Sequence, residues 1–174
     1  GIGSVAKADP NGYTIAIAPS SSLAMNVNLR DDMTFHPLKD LALITQIVSV
    51  PEILVVNEKV PVKTLAELIA LAKAQPGKLV FASTGHGGMP HMAMELFRLT
   101  AGIQLVHTPY TGAAPAVNDL LGGHVHMMFA DVPVLLGNIQ AGKLRALAVT
   151  TAARLDVFPE LPTVGDFVPG YEAS

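Results

Sequence analysis

Apolar positions along this chain change their spacing several times, and each change marks an element. Residues 13–18, YTIAIA, are β-branched and apolar, follow the turn signal Asp9-Pro10-Asn11-Gly12 and give way to Pro19-Ser20-Ser21-Ser22. That predicts a buried strand with a polar loop at its C-terminal end. Residues 41–57 predict one or two more strands, LALITQIVSV and EILVVN, divided by Pro51, which argues against one uninterrupted central strand. At Thr64-Leu65-Ala66-Glu67 the period becomes helical: the four residues fit a capping box, Leu65, Leu68, Ile69 and Ala72 share a face, and Pro76-Gly77 stops the run.

From there strand and helix alternate. LVFAS (79–83) predicts a strand, Pro90 to Thr100 a helix, IQLVHT (103–108) a strand and Ala113 to Leu121 a helix closed by Gly122-Gly123. HVHMMFA (124–130) predicts a strand, 133–141 a helix and LRALAVT (144–150) a strand. Such alternation, with helices of about ten residues and short loops, predicts a mostly parallel sheet covered on both faces. In that arrangement the strand-to-helix loops emerge at one edge, so Ser83 to Met89, Pro109 to Gly112 and Asp131 to Pro133 are expected along one rim. Ligands of open α/β sheets bind at that rim.

Composition narrows the partner. The chain has 174 residues, half of them apolar and 14% charged, which is enough to bury a core in one domain or two small ones. Pro51 and Glu52, and Asp131 and Pro133, interrupt the apolar runs before they reach the ~20 residues a spanning helix needs. A net charge of −3 without a dense Lys/Arg cluster disfavours nucleic acid. With no cysteine, disulfides and thiolate metal sites are excluded. Gly1 is no initiator methionine, and PGYEAS reads as the approach to another strand, so a piece of a longer protein is expected.

The candidate chemistry lies in the loop FASTGHGGMPH, which has no acidic residue, lysine or arginine. A loop that ends a strand and opens a helix presents unpaired N–H groups, and Gly85, Gly87 and Gly88 let the backbone approach a ligand, so an anion can be held without a cation. Thr111-Gly112-Ala113-Ala114 repeats the arrangement. Either loop alone is equally well explained by the need for a sharp turn; two on one rim favour a site for a small carboxylate. Other chemistries fit less well. GHGGMP lacks the ending of a phosphate-cradling loop and the full G-x-G-x-x-G spacing. The histidines, with His124 and His126 alternating on a strand and His86, His91 and His107 near rim loops, have no carboxylate at ligand spacing, so no metal is expected. Ser83 lies in FASTG, which is no nucleophile elbow, so no catalytic residue is expected. Asp131 is read first as the cap of the following helix and alternatively as a ligand contact; Tyr110 as a cleft wall or core filler.

Three stretches carry a family resemblance: PGKLVFASTGHGG, VHTPYTGAAPAVNDLLGG and AGKLRALAVTTAARL. In order and spacing they resemble the Bug-type, or TctC-like, solute-binding proteins of tripartite tricarboxylate transporters, over nearly the whole chain. The resemblance implies an α/β fold with two periplasmic-binding-protein-like (type II) lobes of mostly parallel sheet, residues 1–53 a partial first lobe and 54–174 the second, hinged near Val55 to Glu58. It implies a periplasmic protein without cofactor or catalysis. Its partners would be a small organic anion (a mono-, di- or tricarboxylate or an acidic amino acid) and membrane transporter subunits. Residue by residue it implies ligand contacts at Ser20, Ser21 and Ser22, at Ser83, Thr84, Gly85 and Gly88, at Tyr110, Thr111, Gly112 and Ala114, and at Asp131. Relatives frequently carry Thr-His before an Asn where this chain has Leu23-Ala24-Met25-Asn26 after its serines. The competing expectation is an effector-binding module of a cytoplasmic transcription regulator or sensor, which shares the two-lobed architecture.

Overall fold

A computed structural model describes residues 1–173, which divide into two compact units, 1–48 and 49–173. The first unit holds only short helices: α1 (Ile2–Val5), a π-helical turn (Ser21–Met25) running into α2 (Asn26–Leu29), and α3 (Pro37–Asp40). Residues 13–18 and 41–50, expected as strands, form none here. A strand needs a neighbour for its N–H and C=O groups, and among the described residues these stretches have no partner strand. Their apolar side chains stay in solvent: Tyr13 is 91% exposed, Ile17 85% and Ile44 82%.

The second unit is built on one five-stranded sheet. Its elements are β1 (Glu52–Asn57), α4 (Leu65–Ala74), β2 (Val80–Ser83), α5 (Met89–Thr100), β3 (Val106–Pro109), α6 (Ala113–Gly122), β4 (Met127–Asp131), α7 (Val132–Gln140) and β5 (Leu144–Val149). The strand order is β3-β2-β4-β1-β5. β2 pairs parallel with β3 and with β4, whereas β1 pairs antiparallel with both β4 and β5. Four strands therefore run one way, and β1, next to the edge strand β5, runs against them. All six residues of β1 are buried, as expected of a strand covered on both faces.

The alternation of β1 divides the core in two. Leu54 and Val56 pack with Leu65, Leu68 and Ala72 of α4 and with Met94 and Phe97 of α5. Ile53 and Val55 pack with Ala116 and Leu120 of α6 and with Val132 and Leu135 of α7. Two helices thus cover each face. The second unit begins at Ser49, so residues 49–53 of the expected first lobe fall within it, and Val55 to Asn57 of the expected hinge (Val55 to Glu58) lie in β1.

Candidate ligand-binding rim

The strand directions decide what meets at the candidate edge. The C-terminal ends of β2, β3, β4 and β5 lie there together with the N-terminal end of β1. Three helices, α5, α6 and α7, begin at this edge, and none has a side-chain cap: Gly88, Gly112 and Asp131 hold the N-cap positions without a capping hydrogen bond. By contrast α4, which follows the reversed strand β1, is capped by Thr64, whose hydroxyl accepts the Glu67 N–H. Helix starts with bare N–H groups carry a partial positive charge, which suits an anion even where the loops contain no lysine or arginine.

The β2–α5 and β3–α6 loops touch. Tyr110 N–H donates to the Ser83 carbonyl at 3.0 Å, and a Cβ on Gly85 would lie 3.7 Å from the Tyr110 carbonyl oxygen. Gly85 (φ +136°) and Gly112 (φ +133°) adopt backbone conformations that L side chains rarely enter, which explains glycine at both turns. Thr84 and Gly88 line the same loop, the Thr84 hydroxyl 3.7 Å from the position of a Gly88 Cβ. Thr111 and Ala114 are exposed beside Gly112.

Other candidate side chains are already engaged. Ser83 is fully buried; its hydroxyl donates to the Gly85 carbonyl at 3.0 Å, accepts the Gly85 N–H at 3.3 Å and lies 2.7 Å from His107 Nε2. It shapes the loop from beneath. The Tyr110 hydroxyl donates to Asp119 Oδ2 at 2.6 Å, tying the loop to the helix it precedes, and burial together with that carboxylate pushes the phenol up to about 12. Asp131 occupies the N-cap of α7, but its exposed carboxylate does not cap the helix as the first reading expected. Ser20, Ser21 and Ser22 belong to the first unit, Ser20 exposed and the other two half-buried around the π-helical turn.

Sequence reasoning passed over Glu52. It pairs with Asp131 across the β1–β4 ladder, is 1% exposed, and neither carboxylate oxygen has a hydrogen-bond partner among the described residues. Burial, and next the Asp131 charge, push its carboxyl up to about 8, so it holds its proton at neutral pH. Burial raises Asp131 as well. The available signal was a glutamate placed directly before the apolar run ILVVN. Near the rim, burial lowers His91, and burial with the neighbouring His91 and His86 lowers His107 to about 4. At the opposite edge an open depression of about 260 Å³ is lined by Asn57, Lys59 and Gln75 among others; Asn57 there donates to the Leu120 carbonyl and acts as a strut.

Comparison with known proteins places this rim in a context. The profile of the Tripartite tricarboxylate transporter family receptor matches residues 1–173. The chain belongs to this family. It is 38% identical to Protein BugT of Bordetella pertussis, covering 100% of this chain and 54% of BugT. It is 37% identical to a UPF0065 protein in the tcbD-tcbE intergenic region of a Pseudomonas species, covering 97% of this chain and 50% of that protein. Among solved structures it superimposes on R. palustris Rpa4515 with adipate at a TM-score of 0.88, with 35% identity over 99% of this chain and 58% of that one. The periplasmic binding protein BugD matches at a TM-score of 0.84 and 28% identity, over 99% of this chain and 58% of BugD. The chain therefore spans about half the length of its curated relatives. The α/β fold of periplasmic binding proteins read from the sequence is the fold observed, with a mostly parallel sheet whose one reversed strand the pattern did not predict.

Proposed function

We propose that the full-length protein is an extracytoplasmic, periplasmic solute-binding protein that captures a small organic carboxylate and delivers it to a tripartite tricarboxylate-type membrane transporter. The observation that carries this reading is the receptor-family match over residues 1–173, joined by a 35%-identical relative solved with adipate. The rim supplies a physical reason. Uncapped N–H groups at the starts of α5 and α6 suit a carboxylate oxygen, and Gly85, Gly88 and Gly112 keep side chains out of its way. Thr84 and Thr111 add hydroxyls that donate to the anion, and Asp131 is placed to accept from a ligand hydroxyl, amine or water. Ser83 and Tyr110 hold the loops in shape, while Ser20, Ser21 and Ser22 are the proposed contacts from the first unit.

Backbone groups recognise a carboxylate without reading the remainder of the molecule, so the cargo has to be found by trial. The test is a thermal-shift screen of the full-length protein against mono-, di- and tricarboxylates and acidic amino acids. A ligand at a hundred times its Kd stabilises the folded state by about 2.7 kcal/mol, a shift that is easily measured. A carboxylate hit reproduced by calorimetry supports the reading. No shift with any member of the panel counts against it.

A further inference from the structure

Three of the six histidines meet beside the rim. His86 in the β2–α5 loop, His91 in the first turn of α5 and His107 in β3 each bring a ring nitrogen to within 4.8 Å of the other two. The rings of His91 and His107 stack with centroids 4.1 Å apart, and His86 stands edge-on to them at 5.7 and 5.2 Å. Holding a carboxylate by helix N–H groups requires no imidazole. We propose that His86, His91 and His107 form a binding site for a divalent transition-metal ion of the zinc class. This site goes beyond the carboxylate reading and does not depend on it.

The hydrogen bonds around the cluster support the assignment. Ser83 Oγ lies 2.7 Å from His107 Nε2 and 3.0 Å from the Gly85 carbonyl; the site requires the tautomer in which the hydroxyl proton goes to Gly85 and Ser83 Oγ accepts Nε2–H of His107, which leaves His107 Nδ1 with a free lone pair. Ligating histidines are held in just this way, with an acceptor on the second ring nitrogen fixing tautomer and orientation. His107 is also held against Phe81, ring centroids 4.7 Å apart, so it is a rigid member of the set. His86 is exposed, giving the ion a route in and the site a side chain free to turn.

His91 is the member that must change partners. Its Nδ1 now accepts the Gly87 N–H at 3.1 Å. A metal ion either takes that lone pair or binds Nε2 once the proton has moved to Nδ1, and both routes release Gly87. Zinc–nitrogen bonds of about 2.0–2.1 Å in a tetrahedral site set the ligand nitrogens about 3.4 Å apart, so nitrogens now within 4.8 Å of one another close by at most about 1.4 Å. The lone pairs of the stacked His91 and His107 rings lie in nearly parallel planes, so His91 must also swing out of the stack when it releases Gly87; that swing, the turn of His86 and a shift of the glycine-bearing loop supply the movement. Three neutral imidazoles fill three positions and leave the fourth to water. An all-nitrogen set suits zinc, nickel or copper, whereas calcium and magnesium require oxygen ligands.

The experiment is calorimetric titration of the full-length protein, purified without a polyhistidine tag and stripped of metal, with zinc chloride. The expected result is one ion per chain with a dissociation constant in the micromolar range and no heat from magnesium chloride. His86→Ala removes an exposed ligand and is expected to weaken zinc binding by about tenfold or more. His124→Ala, on an exposed histidine outside the cluster, is expected to leave it unchanged. If His86→Ala is misfolded by circular dichroism, His91→Asn takes its place with the same expected loss. No zinc binding, or a smaller loss in the folded variant, overturns the proposal, whatever carboxylate the protein binds.

Discussion

Glu52 shows how much one residue's surroundings can alter its chemistry. Its carboxyl sits at the head of the antiparallel strand, opposite Asp131 and without a hydrogen-bond partner among the described residues, and is pushed up to about 8 from the ordinary 4.5. Below pH 4.5 both folded and unfolded chains hold the proton; between 4.5 and about 8 only the folded chain does. Stability is therefore lost as pH rises through that window. Glu52→Gln keeps the shape without the charge, and its melting temperature is expected to exceed that of the parent at pH 8 while matching it near pH 4.5. Parallel pH profiles for the two proteins would show that Glu52 is not the titrating group. At Gly112, Gly112→Asp places a carboxylate at the bare start of α6, where it takes the N–H groups for itself and repels an anion. Binding of the identified carboxylate is expected to weaken by about tenfold or more. Gly77→Asp, at a turn on the other edge whose φ is also positive (+71° against +133° at Gly112), serves as the control for placing a carboxylate outside the rim, and equal losses in calorimetry would remove Gly112 from the site.

Among the elements, α4 was the most legible. Thr64 and Glu67 define its start, and Leu65, Leu68 and Ala72 lie in the core as their spacing predicts. The box is offset by one residue, because the Glu67 carboxylate accepts the Lys63 N–H rather than that of Thr64. Thr64→Ala is expected to cost about 1 kcal/mol, read as a lower urea midpoint with an unchanged slope. Gly88→Ser, which adds a cap at α5, is not expected to disturb the fold but to compete with ligand for the same N–H groups. The β2-to-β5 run was equally readable, since each strand follows a helix of about ten residues and Gly102, Gly123 and Gly142 mark the returns. The direction of β1 was not. EILVVN reads as a buried strand in either orientation, and its neighbours β4 and β5 lie about seventy and ninety residues further along the chain.

For the whole molecule, the contrast between the two units carries the expectation. The second is closed by a sheet with helices on both faces, whereas in the first the alternating apolar stretches 13–18 and 41–50 are left in solvent. Limited proteolysis of the 174-residue chain with thermolysin is expected to cut first within those stretches and to leave a resistant fragment beginning near residue 49. In the full-length protein, about twice as long in the relatives, the same stretches are expected to resist digestion once strand partners cover them. Equal cutting in both forms would mean that residues 13–18 and 41–50 are true loops.

The sequence by itself determined the βα alternation, the helix starts and stops, and a rim carrying glycines and hydroxyls without a cation. Those features are local, set by the spacing of apolar residues and by the turn chemistry of a few neighbours. Only the tertiary structure decided that β1 runs antiparallel, that Ser83 and Tyr110 spend their hydroxyls within the protein, and that Glu52 is buried without a hydrogen-bond partner among the described residues. It alone brought His107 against His86 and His91, about twenty residues apart in the chain. Each of these depends on which strands pair and which helix covers them, and such contacts are chosen by packing across the whole sheet, where a short stretch of sequence exerts no control.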